Sequence, residues 1–80
     1  MAHQPSHWTS MSFYEFEAAL ASRFEIWDER MPFQVSDLYD LAATPQQMAQ
    51  WLIRMKRGGK VAYQGPGRGW EWIPERNWAP

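Results

Sequence analysis

Residues 44–73 read TPQQMAQWLIRMKRGGKVAYQGPGRGWEWI, and the fold turns on this stretch. Thr44-Pro45 opens a helix: a hydroxyl at the cap position, then a proline whose missing N–H has no helical partner to lose and whose φ is already helical. From there Met48, Leu52 and Met55 fall on one face with Trp51 flanking it, while Gln46, Gln47, Gln50, Arg54 and Arg57 point elsewhere. Gly58-Gly59 ends the helix. Lys60–Gln64 then alternates, Gly65-Pro66-Gly67-Arg68-Gly69 is a turn, and Trp70–Ile73 alternates again, which together spell a β-hairpin.

Upstream, Phe33-Gln34-Val35 alternates as a short strand, and Ser36 is placed to cap a short second helix over Asp37–Ala42 with Leu38 and Leu41 inward. Asp37 in its first turn complements the helix dipole. Before that, Phe13, Phe16, Leu20, Phe24, Trp27 and Met31 recur at spacings of three or four, the mark of one helical face. Ser12 and Glu15 form a capping box at its start and Pro32 stops it; the pattern also allows a break near Arg23. Glu15, Glu17, Ser22, Glu25 and Glu29 take the remaining surface of that helix. Residues 1–11 read as a loose arm, 12–74 as the folded domain, and 75–80 as a short tail.

Eighty residues suit a single domain. A chain of this size buries only about 60% of its unfolded surface, so the core must be rich in large apolar groups. Six Trp, four Phe, three Tyr and five Met supply them. With no Cys there is neither a disulfide framework nor a thiolate metal site, as suits a reducing compartment. Apolar runs are far too short for a membrane span and no secretory signal stands at the N-terminus, so a soluble cytoplasmic protein is expected.

The net charge of −1 hides an asymmetry. Residues 1–50 set Arg23 and Arg30 against Glu15, Glu17, Glu25, Asp28, Glu29, Asp37 and Asp40. Residues 51–80 set Arg54, Lys56, Arg57, Lys60, Arg68 and Arg76 against Glu71 and Glu75. Two readings are open: a polyanion facing the basic half, or an acidic helix and a basic hairpin attracting each other within the fold.

Helix, short strand, helix, helix, two-stranded hairpin: this order resembles the winged helix-turn-helix family. Phe33-Gln-Val-Ser-Asp-Leu, Thr44-Pro-Gln-Gln-Met, Leu52 with Met55, Gly59-Lys-Val and Gly67-Arg-Gly-Trp carry the resemblance, over about Phe33–Ile73. It implies an α+β fold of three helices, a short strand after the first, and a C-terminal hairpin wing. The chain departs from the family where Leu41-Ala42-Ala43-Thr44 makes a tight, glycine-free turn.

In this family the third helix enters the major groove and the wing touches the backbone or minor groove. The resemblance therefore assigns Pro45, Gln46, Gln47 and Gln50 to the exposed start of a recognition helix. A glutamine amide donates to and accepts from adenine N7 and N6 together, which suits base reading. Ser36 and Thr44 stand where a hydroxyl or helix N-terminus meets a phosphate, Arg54, Arg57 and Lys60 flank the backbone, and Arg68 reaches a minor groove. Read without that resemblance, glutamines are ordinary surface helix residues, and basic groups near a helix C-terminus complement its dipole.

Trp70 and Trp72 share one side of the last strand. Either they pack over the core beside Trp51, or with Trp8 and Trp78 from the flanking segments they form an aromatic surface for a partner. Six tryptophans exceed what so small a core hides, so one or two are expected to be partly exposed. His3 and His7 have no helical frame for metal binding, and no nucleophile–base pair, phosphate-binding glycine loop or acidic cluster stands out, so neither cofactor, metal nor enzymatic activity is expected. The leading expectation is a regulator that binds double-stranded DNA, as phage and plasmid elements carry, acting as a monomer or a homodimer. The alternative is the same fold as a protein-recognition module, an accessory subunit or an inhibitor of a nucleic-acid-handling complex, using its exposed tryptophans and acidic first helix.

Overall fold

The computed structural model describes residues 10–25 and 32–78. Within them the chain is α+β, with two α-helices and one three-stranded antiparallel sheet. Helix α1 spans Phe13–Phe24. Its capping box is formed: Glu15 N–H donates to Ser12 Oγ at 3.1 Å and Ser12 N–H to Glu15 Oε1 at 2.8 Å. Its described part ends at Phe24 with Glu25 as the C-cap, near the break that the pattern allowed, and the expected continuation through Trp27 to Met31 falls outside the described residues.

A correction concerns the expected helix over Asp37–Ala42, which is a single 3-10 turn, Val35–Leu38. Ser36 is not its cap. Asp37 reaches back instead, accepting from Gln34 N–H at 2.8 Å. Backbone bonds Asp37 N–H to Gln34 O (2.9 Å) and Leu41 N–H to Leu38 O (3.0 Å) keep three-residue spacing. The Ala42 carbonyl accepts from Ser10 and Met11 N–H at 3.0 and 3.3 Å. So short a segment gains too few bonds to propagate an α-helix. Through those bonds Ser10 and Met11 dock on the domain, and Met11 packs against the core; residues 1–9 of the expected arm lie outside the described residues.

Helix α2, Pro45–Arg57, starts and stops where the sequence places it. Thr44 Oγ1 accepts from Gln47 N–H at 3.1 Å. At the other end Lys60 N–H donates to Met55 O (2.9 Å) and Gly59 N–H to Lys56 O (3.0 Å), a Schellman closure that needs the φ of +76° that Gly59 supplies.

Strand β1 (Pro32–Phe33), β2 (Val61–Tyr63) and β3 (Trp70–Trp72) lie in the order β1-β3-β2. Proline stands on an edge strand, where its missing N–H breaks no ladder. Val61 pairs with Trp72, Ala62 with Glu71 and Tyr63 with Trp70, while Phe33 pairs with Trp70 from the other side. Directly opposed residues share a face, so Phe33, Val61, Tyr63, Trp70 and Trp72 face the helices and Pro32, Ala62 and Glu71 face away.

Phe16, Leu20, Phe33, Leu38, Met48, Leu52, Met55, Val61 and Trp72 are buried together. Phe24 stacks on Phe33 with centroids 4.7 Å apart, and Trp51 closes on Phe16 at 5.1 Å. Beyond β3 the tail is a 3-10 turn, Glu75–Asn77, and Trp78 folds back onto Trp72, ring centroids 5.5 Å apart. Its indole N–H donates to the Ile73 carbonyl. No helix among the described residues is long and apolar enough to cross a membrane.

Candidate nucleic-acid interface

Helix α2 lies on the sheet with Met48, Leu52 and Met55 inward, so its opposite side forms the outer surface. Gln46, Gln50, Ile53 and Arg57 recur there at spacings of four, three and four, and all four are exposed. Pro45 is exposed at the start of the same helix. Gln47 turns toward a flank and is half-buried. Arg54 also lies to the side, its guanidinium carbon 4.1 Å from the centroid of the Phe13 ring. The expected row of readers therefore separates into an outer ridge and a flank facing α1.

The remaining expected phosphate contacts separate as well. Lys60 is engaged within the fold and half-buried, in an ion pair with Glu17 and with Nζ 4.9 Å from the Trp78 ring centroid. Arg68 is exposed in the turn between β2 and β3. It borders a depression of about 450 Å³ with Pro32, Gln34, Gln64, Gly67 and Glu71, on the sheet face turned away from the helices. The turn is fixed to the body of the protein by Gln34 Nε2, which donates to Gly67 O at 3.1 Å.

The aromatic candidates divide too. Trp72 is only 3% exposed and belongs to the core, its indole N–H donating to Glu25 Oε1 at 2.8 Å, which removes it from any docking surface. Trp78 is half-buried over it. Trp70 is half-buried beside Tyr63, ring centroids 4.9 Å apart. Trp8, His3 and His7 lie outside the described residues.

Much of the acidity is spent within the fold. Glu17 pairs with Lys60 and Asp40 with Arg23, Glu15 and Asp37 cap turns, and Glu25 accepts from Trp72 and from the Glu75 N–H. Residues 41–70, by contrast, contain no Asp or Glu at all, yet carry Arg54, Lys56, Arg57, Lys60 and Arg68. That span is α2, β2 and the turn that follows. The near-neutral net charge is thus a poor guide to the field over the α2 face, where the exposed charges are cationic.

Sequence reasoning passed over Lys56, Ile53 and Tyr63. Ile53 and Tyr63 are about half exposed and, with Lys56 and Trp70, line a second depression between α2 and the hairpin. The strand alternation that puts Val61 on the helix side puts Tyr63 there too, which was the available signal. Comparison with known proteins gave no match, whether to a family model, a curated protein or a solved structure.

Proposed function

We propose that this chain is a winged-helix protein that binds double-stranded DNA and reads sequence through α2, the role of a compact transcriptional regulator. The two helices, the turn before α2 and the three-stranded sheet are compatible with that architecture, with the second helix reduced to one 3-10 turn. The observation that carries the reading is the outer ridge of α2. Gln46 and Gln50 offer amides suited to adenine, Arg57 continues the ridge as a cation, and the whole lies within thirty residues free of acid. Lys56, Arg57 and Arg68 serve the phosphates, with Arg68 carried on the wing.

Three or four phosphate contacts per monomer give a slope of log K against log salt of about −3 to −4, and a dimer on a two-fold site doubles it. Fluorescence anisotropy with a mixed-sequence duplex across a salt series tests this. The expected result is binding at low salt that weakens along such a slope, and a flatter slope in an Arg57→Gln/Arg68→Gln variant. A folded protein that binds no duplex at low salt overturns the proposal. The second reading, a protein partner, is favoured by the half-exposed Ile53, Tyr63 and Trp70 and takes over in that event.

A further inference from the structure

Between α2 and the hairpin lies an open depression of about 540 Å³ lined by Ile53, Lys56, Tyr63 and Trp70. Apart from Lys56 its lining is apolar and aromatic. Ile53 is 45% exposed and Tyr63 47% exposed, so the apolar surface is open to a ligand. Ile53 also belongs to the outer ridge, three residues after Gln50 and four before Arg57. A β-branched apolar side chain gains nothing for helix propensity at such an exposed position.

We infer that Ile53 is a thymine-reading residue: the Ile53–Tyr63–Trp70 surface receives 5-methyl groups of thymine in the major groove, with Lys56 on a neighbouring phosphate. The inference rests on the DNA-binding reading and adds to it the chemistry of the target. Two properties of the depression select the occupant. Lys56 in the lining and Arg57 beside it on the exposed ridge call for an anion, and the apolar lining calls for exposed apolar groups on that same anion. In duplex DNA the major-groove edge that meets this description is the thymine C5-methyl. An A·T pair presents adenine N6 and N7 to a glutamine and the thymine methyl beside them in one groove, so Gln50 and Ile53 read opposite halves of such pairs from adjacent turns of one helix.

The test uses one mixed-sequence duplex pool amplified twice, with thymidine or with deoxyuridine triphosphate. The two products share sequence and charge and differ in the 5-methyl groups. The protein is expected to bind the thymine duplex more tightly, by about four-fold for each methyl buried. Ile53→Ala removes the preference, and Ile53→Thr, which keeps the β-branch but replaces its ethyl group with a hydroxyl, reduces it. Lys56→Gln weakens both duplexes alike and keeps the ratio. Circular dichroism confirms that each variant is folded. Equal binding of both duplexes by the unaltered protein, with its salt dependence intact, overturns the inference and leaves DNA binding standing. Binding of neither duplex at low salt overturns both and hands the depression to a protein partner.

Discussion

The indole N–H of Trp72 donates to Glu25 Oε1 at 2.8 Å, joining the last strand to the end of α1. The same carboxylate accepts from the Glu75 N–H, at 3.1 Å to Oε1 and 3.2 Å to Oε2, so one side chain gathers the first helix, the third strand and the C-terminal turn. Trp72 is itself core, packed under Trp78. A buried indole N–H left without an acceptor carries its full desolvation cost. Glu25→Ala is therefore expected to destabilise the protein by about 1–3 kcal/mol. Glu25→Gln, which retains an acceptor oxygen, costs less. Urea denaturation of the three proteins measures the difference, and equal midpoints for Glu25→Ala and the parent would refute the assignment.

Gly69 and Gly67 both hold positive φ, +82° and +77°, but in different surroundings. A Cβ at Gly69 comes 2.3 Å from the Phe33 carbonyl oxygen, whereas one at Gly67 meets nothing within 4 Å. Gly67→Ala bears only the cost of a left-handed backbone, about 1–2 kcal/mol. Gly69→Ala adds a backbone collision where β1 pairs with β3, and is expected to be the more damaging by a clear margin in thermal unfolding. Similar melting temperatures for the two variants count against the tight approach of β1 to this turn.

Legibility in the sequence followed how local each determinant is. Thr44-Pro45 and Gly58-Gly59 act within one turn of their own helix, and α2 begins and ends where they stand. The alternation on either side of the glycine-rich turn likewise located β2 and β3. The segment after Phe33 failed because one local cap runs in an unexpected direction and one backbone group is taken by a distant partner. Asp37 caps backward and the Ala42 carbonyl is taken by Ser10 and Met11, neither of which is visible in the spacing of Leu38 and Leu41. The candidate site was half legible for the same reason. Helical periodicity placed Gln46, Gln50 and Arg57 on the outside. It gave no sign that Lys60 reaches Glu17, forty-three residues away, or that Arg54 settles over Phe13.

The contrast between Thr44 and Ser36 separates a real helix cap from an expected one. Thr44 Oγ1 satisfies the Gln47 N–H, so Thr44→Ala is expected to cost about 1 kcal/mol. Ser36 is exposed and the cap of its turn comes from Asp37, so Ser36→Ala is expected to stay within about 0.5 kcal/mol of the parent. Asp37→Ala should then behave like the threonine variant and not like its serine neighbour. Chemical denaturation midpoints rank the three, and a large loss at Ser36 would mean that the segment caps as the sequence alone suggests.

Lys60 and Arg57 carry the same charge and are expected to fail in opposite assays. Arg57 ends the outer ridge of α2 and has no ion pair among the described residues, so its cation is available to a phosphate. Arg57→Gln should leave stability within about 0.5 kcal/mol while lowering the salt slope of duplex binding by about one. Lys60 is engaged by Glu17 and the Trp78 ring, both partly shielded from water. Lys60→Gln loses a partly exposed ion pair and a cation–π contact, together about 1 kcal/mol. Its salt slope should remain close to that of the parent, because a cation already neutralised inside the fold displaces few counterions from DNA. A slope that falls by one in Lys60→Gln, with stability unchanged, would place Lys60 on the duplex and dissolve the internal pair as its main role.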